Sequence, residues 1–290
     1  MQPKSLRDQW QNIVDHHGLW TAHNIRLPEG LWTIRETDEP MSRIRSRRYL
    51  QIIEDILRRP IGELRILDLG CLEGGFSIEL GMHGAEVVGM DGRAANIAKA
   101  EFAKQALGLS RVSFLREDIR TLSPERHGRF DAILCCGVFY HLPSKDLLPF
   151  LRTLHSVCRG VGIIDTHISL EPEQSFDDEG ERWNGRIFPE HPPESSPEEI
   201  EKRLWASLDP EDSFWLTEAS LLQALHLVGF TTVHACLHPP VASTPEDRKT
   251  YVACAGKSVD VLAMSPRTIP TPFEFRHYEH GQDPLMKKKP

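Results

Sequence analysis

No stretch of the 290-residue sequence approaches the roughly 18 consecutive apolar residues of a membrane-spanning helix, and Lys4, Arg7 and Asp8 stand where a secretory leader needs an apolar run. The sequence therefore reads as cytoplasmic, without a membrane partner. A surplus of positive charge is also lacking. Against 34 Lys plus Arg stand 42 Asp plus Glu, a net of -8, so no broad basic field exists to concentrate duplex DNA. The six cysteines show no C-x-x-C spacing, and the fourteen histidines form no H-E-x-x-H motif or mixed His/Cys cluster. These gaps argue against a disulfide framework and against a metal site, and the thiols read as reduced core residues. Tryptophan and proline are scarce in the middle: all six Trp lie before residue 33 or after residue 182, and between residues 61 and 171 only Pro124, Pro143 and Pro149 occur.

What the middle has instead is alternation. From residue 64, LRILDLG reads as a buried strand, GGFSIELGMHG as a helix, AEVVGMDG as a strand and RAANIAKAEFAKQALGL as a helix. VSFLRED, FDAILCCG and VGIIDTHIS continue as strands, with LLPFLRTLHSVC as a helix before the last of them. Short apolar runs alternating with helical patterns predict a doubly wound, mostly parallel α/β sheet, because parallel neighbours need crossover connections and these are right-handed.

The flanks differ. Residues 5–20 predict an amphipathic helix, Pro28-Glu29-Gly30 a turn between extended pieces, and Ser42 the cap of a second helix that carries Ile44, Ile52, Ile53, Ile56 and Leu57 and ends at Pro60. After residue 170 the chain turns acidic and proline-rich, yet keeps Trp183 and Trp205, as a mobile lid would and a tether would not. A helix capped by Thr217 and the strands TTVHACL and YVACAGKS follow; being consecutive, these strands predict one antiparallel member of the sheet. The expected organisation is a helical extension over 1–60, a ligand-binding core over 61–170, a lid over 171–212, the rest of the core over 213–258 and an irregular tail over 259–290. Trp10 and Trp20 are expected to form a second small core.

The chemistry concentrates at strand ends. Ile66-Leu67-Asp68-Leu69-Gly70-Cys71-Leu72-Glu73-Gly74-Gly75-Phe76-Ser77 ends a strand and opens a helix, where glycines let a ligand approach the backbone. Asp91 ends the next strand about twenty residues further on, the spacing at which a carboxylate accepts from both hydroxyls of a ribose. Glu117-Asp118-Ile119 ends the third, with an acid for the edge of an adenine and an apolar neighbour for its face. A nicotinamide-binding alternative lacks its G-x-G-x-x-G turn.

In these residues the sequence resembles the class I S-adenosylmethionine-dependent methyltransferases, well over about residues 64–170 and more loosely over 214–257. The resemblance implies a seven-stranded sheet with one antiparallel strand and S-adenosyl-L-methionine as cofactor. It places Asp68, Gly70, Cys71, Gly74 and Phe76 in the turn against the methionine portion, Asp91 and Gly92 at the ribose, Asp118 and Ile119 at the adenine, and Cys136 and Gly137 beside the amino acid end. The family usually carries glycine at the position of Leu72; an E-G-G-F version of the turn occurs within it, including among ribose-methylating RNA enzymes.

Methyl transfer draws much of its acceleration from positioning, and a base is needed where the acceptor must lose a proton. Tyr140, His141 and His167 lie at strand ends, where open parallel sheets bind ligands, and His141 is the first candidate for a base acting on a hydroxyl. The net charge and the capping insertion favour a small-molecule acceptor. The stretch Arg43, Arg45, Arg47, Arg48, Arg58 and Arg59 keeps a tRNA or other RNA substrate as the alternative, and the N-terminal extension loosely resembles that of wobble-uridine-modifying members of the family. A non-catalytic binder of the cofactor is the third reading, and a homo-oligomer is compatible with all three.

Overall fold

The computed structural model describes residues 5–34, 40–209, 211–236, 244–260 and 262–263, with the side chains of residues 40–42 outside that description. The chain divides into a unit over Met1–Gly256 and another over Lys257–Pro290; the described residues of the second form no helix or strand, and most of the tail expected over 259–290 lies outside the described residues.

In chain order the first unit contains α1 (Leu6–His17), α2 (Pro40–Leu57), β1 (Arg65–Leu69), α3 (Gly75–Met82), β2 (Glu86–Asp91), α4 (Ala94–Ala106), β3 (Val112–Arg116) and α5 (Pro124–His127). There follow β4 (Phe130–Cys136), α6 (Ser144–Val157), β5 (Cys158–His167), β6 (Gln174–Asp178), β7 (Glu181–Phe188), α7 (Pro197–Lys202), β8 (Ser213–Leu216), α8 (Glu218–Leu227), β9 (Thr232–Ala235) and β10 (Arg248–Cys254). The main sheet has seven strands in the order β3-β2-β1-β4-β5-β10-β9. All its pairings are parallel except those of β10, which runs antiparallel to both β5 and β9, as the terminal hairpin predicted.

The apolar runs form strands because both of their faces are covered. In β1, Leu67 and Leu69 enter one apolar core while Ile66 enters the other, and all three are fully buried. Register then aligns the strand ends: Leu69 lies opposite Met90 of β2 and Cys135 of β4, so the turn after β1 and the ends of β2 and β4 open on the same edge of the sheet. This is the edge where doubly wound sheets bind ligands.

The flanks show where tertiary context outweighs local pattern. The helix α2 begins at Pro40, ahead of Ser42, and the capping expected of that side chain falls outside the described residues. Trp20 stacks on Trp10 at 6.3 Å between ring centroids and packs on Phe102 of α4; instead of a separate small core, the pair joins the apolar cluster that holds Ile66.

The segment expected as a lid is a structured addition. β6, β7 and β8 form a three-stranded antiparallel sheet, so β8, counted by sequence with the core, pairs instead with the insertion. Trp183 is fully buried in the main core and is not part of a mobile cover. Its burial follows from the alternation of β7, where Trp183 and Gly185 point inward. No helix among the described residues is long and apolar enough to cross a membrane.

Candidate active site

Two cavities meet at the carboxyl edge of the sheet. The first, of about 330 Å³, is lined by Gly70, Asp91, Gly92, Asp118 and Ile119, with Leu208 of the insertion above them. The second, of about 360 Å³, is lined by Phe76, Cys136, Tyr140, Asp165, His167 and Arg248. Leu72, Gly137, His141 and Leu204 line both.

The turn after β1 is shaped for close approach. Gly70 has φ +64°, and a Cβ there would lie 2.8 Å from Val138 Cβ, so only glycine fits. Leu72, standing where the resembling family usually has glycine, takes φ +47°, a left-handed conformation costing a leucine about 1–2 kcal/mol. It is held there in part by Asp91, whose Oδ2 accepts from the Leu72 amide at 3.0 Å. Asp91 Oδ1 accepts from the Arg93 amide at 2.8 Å and from Asn96 Nδ2 at 3.1 Å. Burial nonetheless outweighs these bonds and raises the Asp91 carboxyl above its ordinary range, so further donors from a ligand would stabilise the ionised form.

Asp68, Cys71 and Gly74 line neither cavity. Asp68 lies beneath the turn and accepts from Ser77 Oγ at 2.6 Å; burial pushes its carboxyl up to about 7. Cys71 is buried in the core cluster that holds Ile66. Gly74 is the left-handed cap of α3, and a Cβ there would strike Phe114 and Ala100, so its need is helix-to-strand packing. Asp118 does reach the first cavity, but its carboxylate also receives Arg120 at 2.7 Å; burial alone would raise it, and Arg120 holds it below the ordinary carboxylate range.

The second cavity is assembled from distant segments. Tyr140, His141 and His167 come together: the ring centroids of Tyr140 and His141 are 4.2 Å apart, and those of Tyr140 and His167 are 4.8 Å apart. His167 Nδ1 meets Asp247 at 3.0 Å and its ring stacks on Trp215. Burial, with Arg248 nearby, lowers the His167 pKa despite Asp247, which favours the neutral ring. Asp165 accepts from Arg248 and, at 2.6 Å, from Thr250 Oγ1. Burial would raise it, but the Arg248 guanidinium holds it below the ordinary range, so it serves as a paired structural acid.

Several residues that the sequence left unremarked organise this edge. Buried Glu73 accepts from the amides of Thr21, Ala22 and His23 and pairs with buried Lys99 at 3.2 Å, fastening the N-terminal segment across the turn. His23 Nδ1 accepts from the Gly75 amide at 2.9 Å; burial, only partly opposed by Glu73, lowers its pKa to about 4 and keeps it neutral. Arg93, directly after the Asp91 turn, is buried and donates to the carbonyls of Ile200, Glu201, Arg203, Ala206 and Ser207. Arg120 reaches Asp209 of the insertion at 2.7 Å. Glu190, also buried, holds His141. Glu73 stood inside the glycine-rich turn and was legible as a second acid there; Glu190 was one acid among many in the insertion.

A parallel sheet closed by one antiparallel strand, with a glycine turn and strand-end acids opening on one cavity, is the architecture of class I methyltransferases. The model of the family described as a methyltransferase domain matches residues 66–162. Over those residues the chain carries a methyltransferase domain, and its fold is that of the class I S-adenosylmethionine-dependent methyltransferases. It is 32% identical over 105 residues to a ubiquinone biosynthesis O-methyltransferase of Ruegeria pomeroyi, covering 36% of this chain and 41% of that protein. To a glycine/sarcosine N-methyltransferase of Halorhodospira halochloris it is 37% identical over 117 residues, covering 39% and 41%. Overall it spans about half the length, or less, of such curated relatives. Among solved structures, the N-terminal domain of EvdMO1, crystallised with S-adenosylhomocysteine and D-fucose, matches with a TM-score of 0.67 at 24% identity, covering 87% of this chain and 98% of that one; this likeness concerns the fold.

Proposed function

We propose that the protein transfers a methyl group from S-adenosyl-L-methionine to a hydroxyl of a small molecule, with His141 as the general base. The observation that carries this reading is the meeting of two cavities at Leu72, Gly137, His141 and Leu204. The residues present fit the cofactor. The Gly70 cradle excludes a side chain, Asp91 offers buried acceptor oxygens for the ribose, Asp118 and Ile119 stand where the adenine belongs, and Gly137 and Cys136 flank the entrance to the second cavity. When bound, the cofactor supplies a methyl group on a positively charged sulfur that leaves with the bonding electrons as a neutral thioether.

The chain's own residues then orient the acceptor and take its proton. His141 lines both cavities, and with Nδ1 engaged by Glu190 its Nε2 is the nitrogen left to receive the hydroxyl proton as the new oxygen–carbon bond forms. Tyr140 and His167 shape the wall beside it. A cavity of this size suits a small molecule. Relatives include a ubiquinone biosynthesis O-methyltransferase, and the EvdMO1 domain was crystallised with a sugar; both agree with a small hydroxylated acceptor. The arginine-rich stretch offers RNA less than its composition suggests: Arg59 is spent on Asp131 and the Glu63 carbonyl, and Arg43 and Arg48 are also engaged. The free thiols, three of them buried and three half-buried, agree with a cytoplasmic location.

The test has two stages. Calorimetry with S-adenosylmethionine is expected to show binding, and its absence would remove the reading. Labelled cofactor added to a cell extract is expected to mark a small-molecule fraction that persists after RNase and is lost with His141→Ala; RNase-sensitive label would transfer the assignment to RNA.

A further inference from the structure

The second nitrogen of His141 is spoken for. His141 Nδ1 lies 2.8 Å from Glu190 Oε1, and the other carboxylate oxygen accepts from the Ser207 amide at 2.9 Å. Glu190 is 5% exposed and its side chain 1%, so water cannot replace its partners. Burial by itself would raise its carboxyl, but the bonds from His141 and Ser207 hold it below the ordinary glutamate range, and the ionised group can only accept.

We propose that Glu190 is the positioning residue for His141, fixing the ring proton on Nδ1 and so presenting a bare Nε2 at the junction of the two cavities. The inference rests on the reading of His141 as base. An ionised carboxylate has no proton to give, so Nδ1 carries the hydrogen and Nε2 keeps its lone pair; the same division of labour orients the base in hydrolase triads. When Nε2 takes the acceptor proton, the resulting imidazolium retains Nδ1–H on Glu190, and the charge that forms faces a carboxylate already in place.

Glu190 belongs to the insertion, between β7 and α7, and its second oxygen is bound to the segment that Arg93 holds over the first cavity. The base is therefore set by the part of the chain that covers the cofactor site. Removal of the insertion would leave His141 able to carry its proton on either nitrogen.

The test reads the tautomer directly and needs no acceptor. In protein labelled with ¹⁵N-histidine, long-range proton–nitrogen correlation at pH 8, assigned with His141→Gln, is expected to show His141 protonated on Nδ1 with Nε2 unprotonated. In Glu190→Gln the amide can donate to Nδ1, and a protonated Nε2 is expected to appear; Glu190→Asp should restore the wild-type pattern at least in part. Methyl transfer to the extract acceptor is expected to fall about 10- to 100-fold in Glu190→Gln, while calorimetric affinity for S-adenosylmethionine stays within twofold. An unchanged tautomer in Glu190→Gln, or a wild-type ring protonated on Nε2, would overturn the assignment. Full methyl transfer by His141→Ala would remove the base itself and with it this role, whereas loss of activity in His141→Ala beside full activity in Glu190→Gln would overturn the Glu190 assignment alone.

Discussion

The two cavities are built by opposite routes. The first takes its walls mainly from the ends of consecutive strands, so that Gly70, Asp91 and Ile119 follow one another along the chain and across the sheet. The second gathers residues near 22, 45, 137, 165, 204 and 248, which meet only after the whole fold has closed. A site made of neighbouring strand ends is fixed by the sheet's own register. A site made of distant segments depends on each tie that holds those segments, and here the ties are buried polar groups.

That contrast can be broken by experiment, and the largest effect is expected at Glu73. Glu73→Ala leaves Lys99 buried without its carboxylate and three amides without their acceptor, and should destabilise the fold by about 3–5 kcal/mol. Thermal unfolding measures this loss. In protein that stays folded, damage should concentrate on the second cavity, to which Ala22 and His23 contribute a wall; a Glu73→Ala variant of wild-type stability would show that the tie is not needed.

Asp91→Asn is expected to act chiefly on the first cavity. Losing charge-assisted bonds to a bound ribose should cost about 1.5–3 kcal/mol, a weakening of tenfold or more in calorimetric affinity for S-adenosylmethionine. Unchanged affinity would refute the assignment of Asp91 to the ribose.

The third effect depends on pH and belongs to Asp68, which supports the turn without entering either cavity. Its folded carboxyl is raised from 3.8 to about 7, so as pH rises through that window the unfolded chain gives up this proton first and the fold loses stability, by on the order of 1 kcal/mol per pH unit. Asp68→Asn should remove this contribution, visible as a shallower decline in denaturation midpoint between pH 4 and 7. A decline as steep as in the wild type would place the buried charge elsewhere.

The same contrast explains what could be read from the sequence. Strand, glycine turn and strand-end acid form a local pattern, and the alternation from residue 64 onward predicted the sheet, the antiparallel hairpin and the acids that face the first cavity. The insertion was misread because its acidic composition masked a shorter period. Glu179 and Gly180 both have positive φ, as a two-residue hairpin turn requires, and the inward positions of β7 alternate on either side of Asn184. That alternation is the signal for a buried Trp183. Arg248 and Glu190 had no such signal, because their meaning lies in pairings with Asp165 and His141 more than forty residues away.

Arg93 grips the covering segment mainly by carbonyl oxygens, those of Ile200, Glu201, Arg203, Ala206 and Ser207, with one ion pair to the Glu201 carboxylate at 3.8 Å besides. Recognition through the main chain is blind to side-chain identity. The path of this segment is thus fixed while residues such as Leu204 and Trp205, which face the second cavity, are free to change. The arrangement separates architecture from selectivity. Substitutions at these two positions are expected to reshape the second cavity, and at Leu204 the first as well, without unseating the cover that they form.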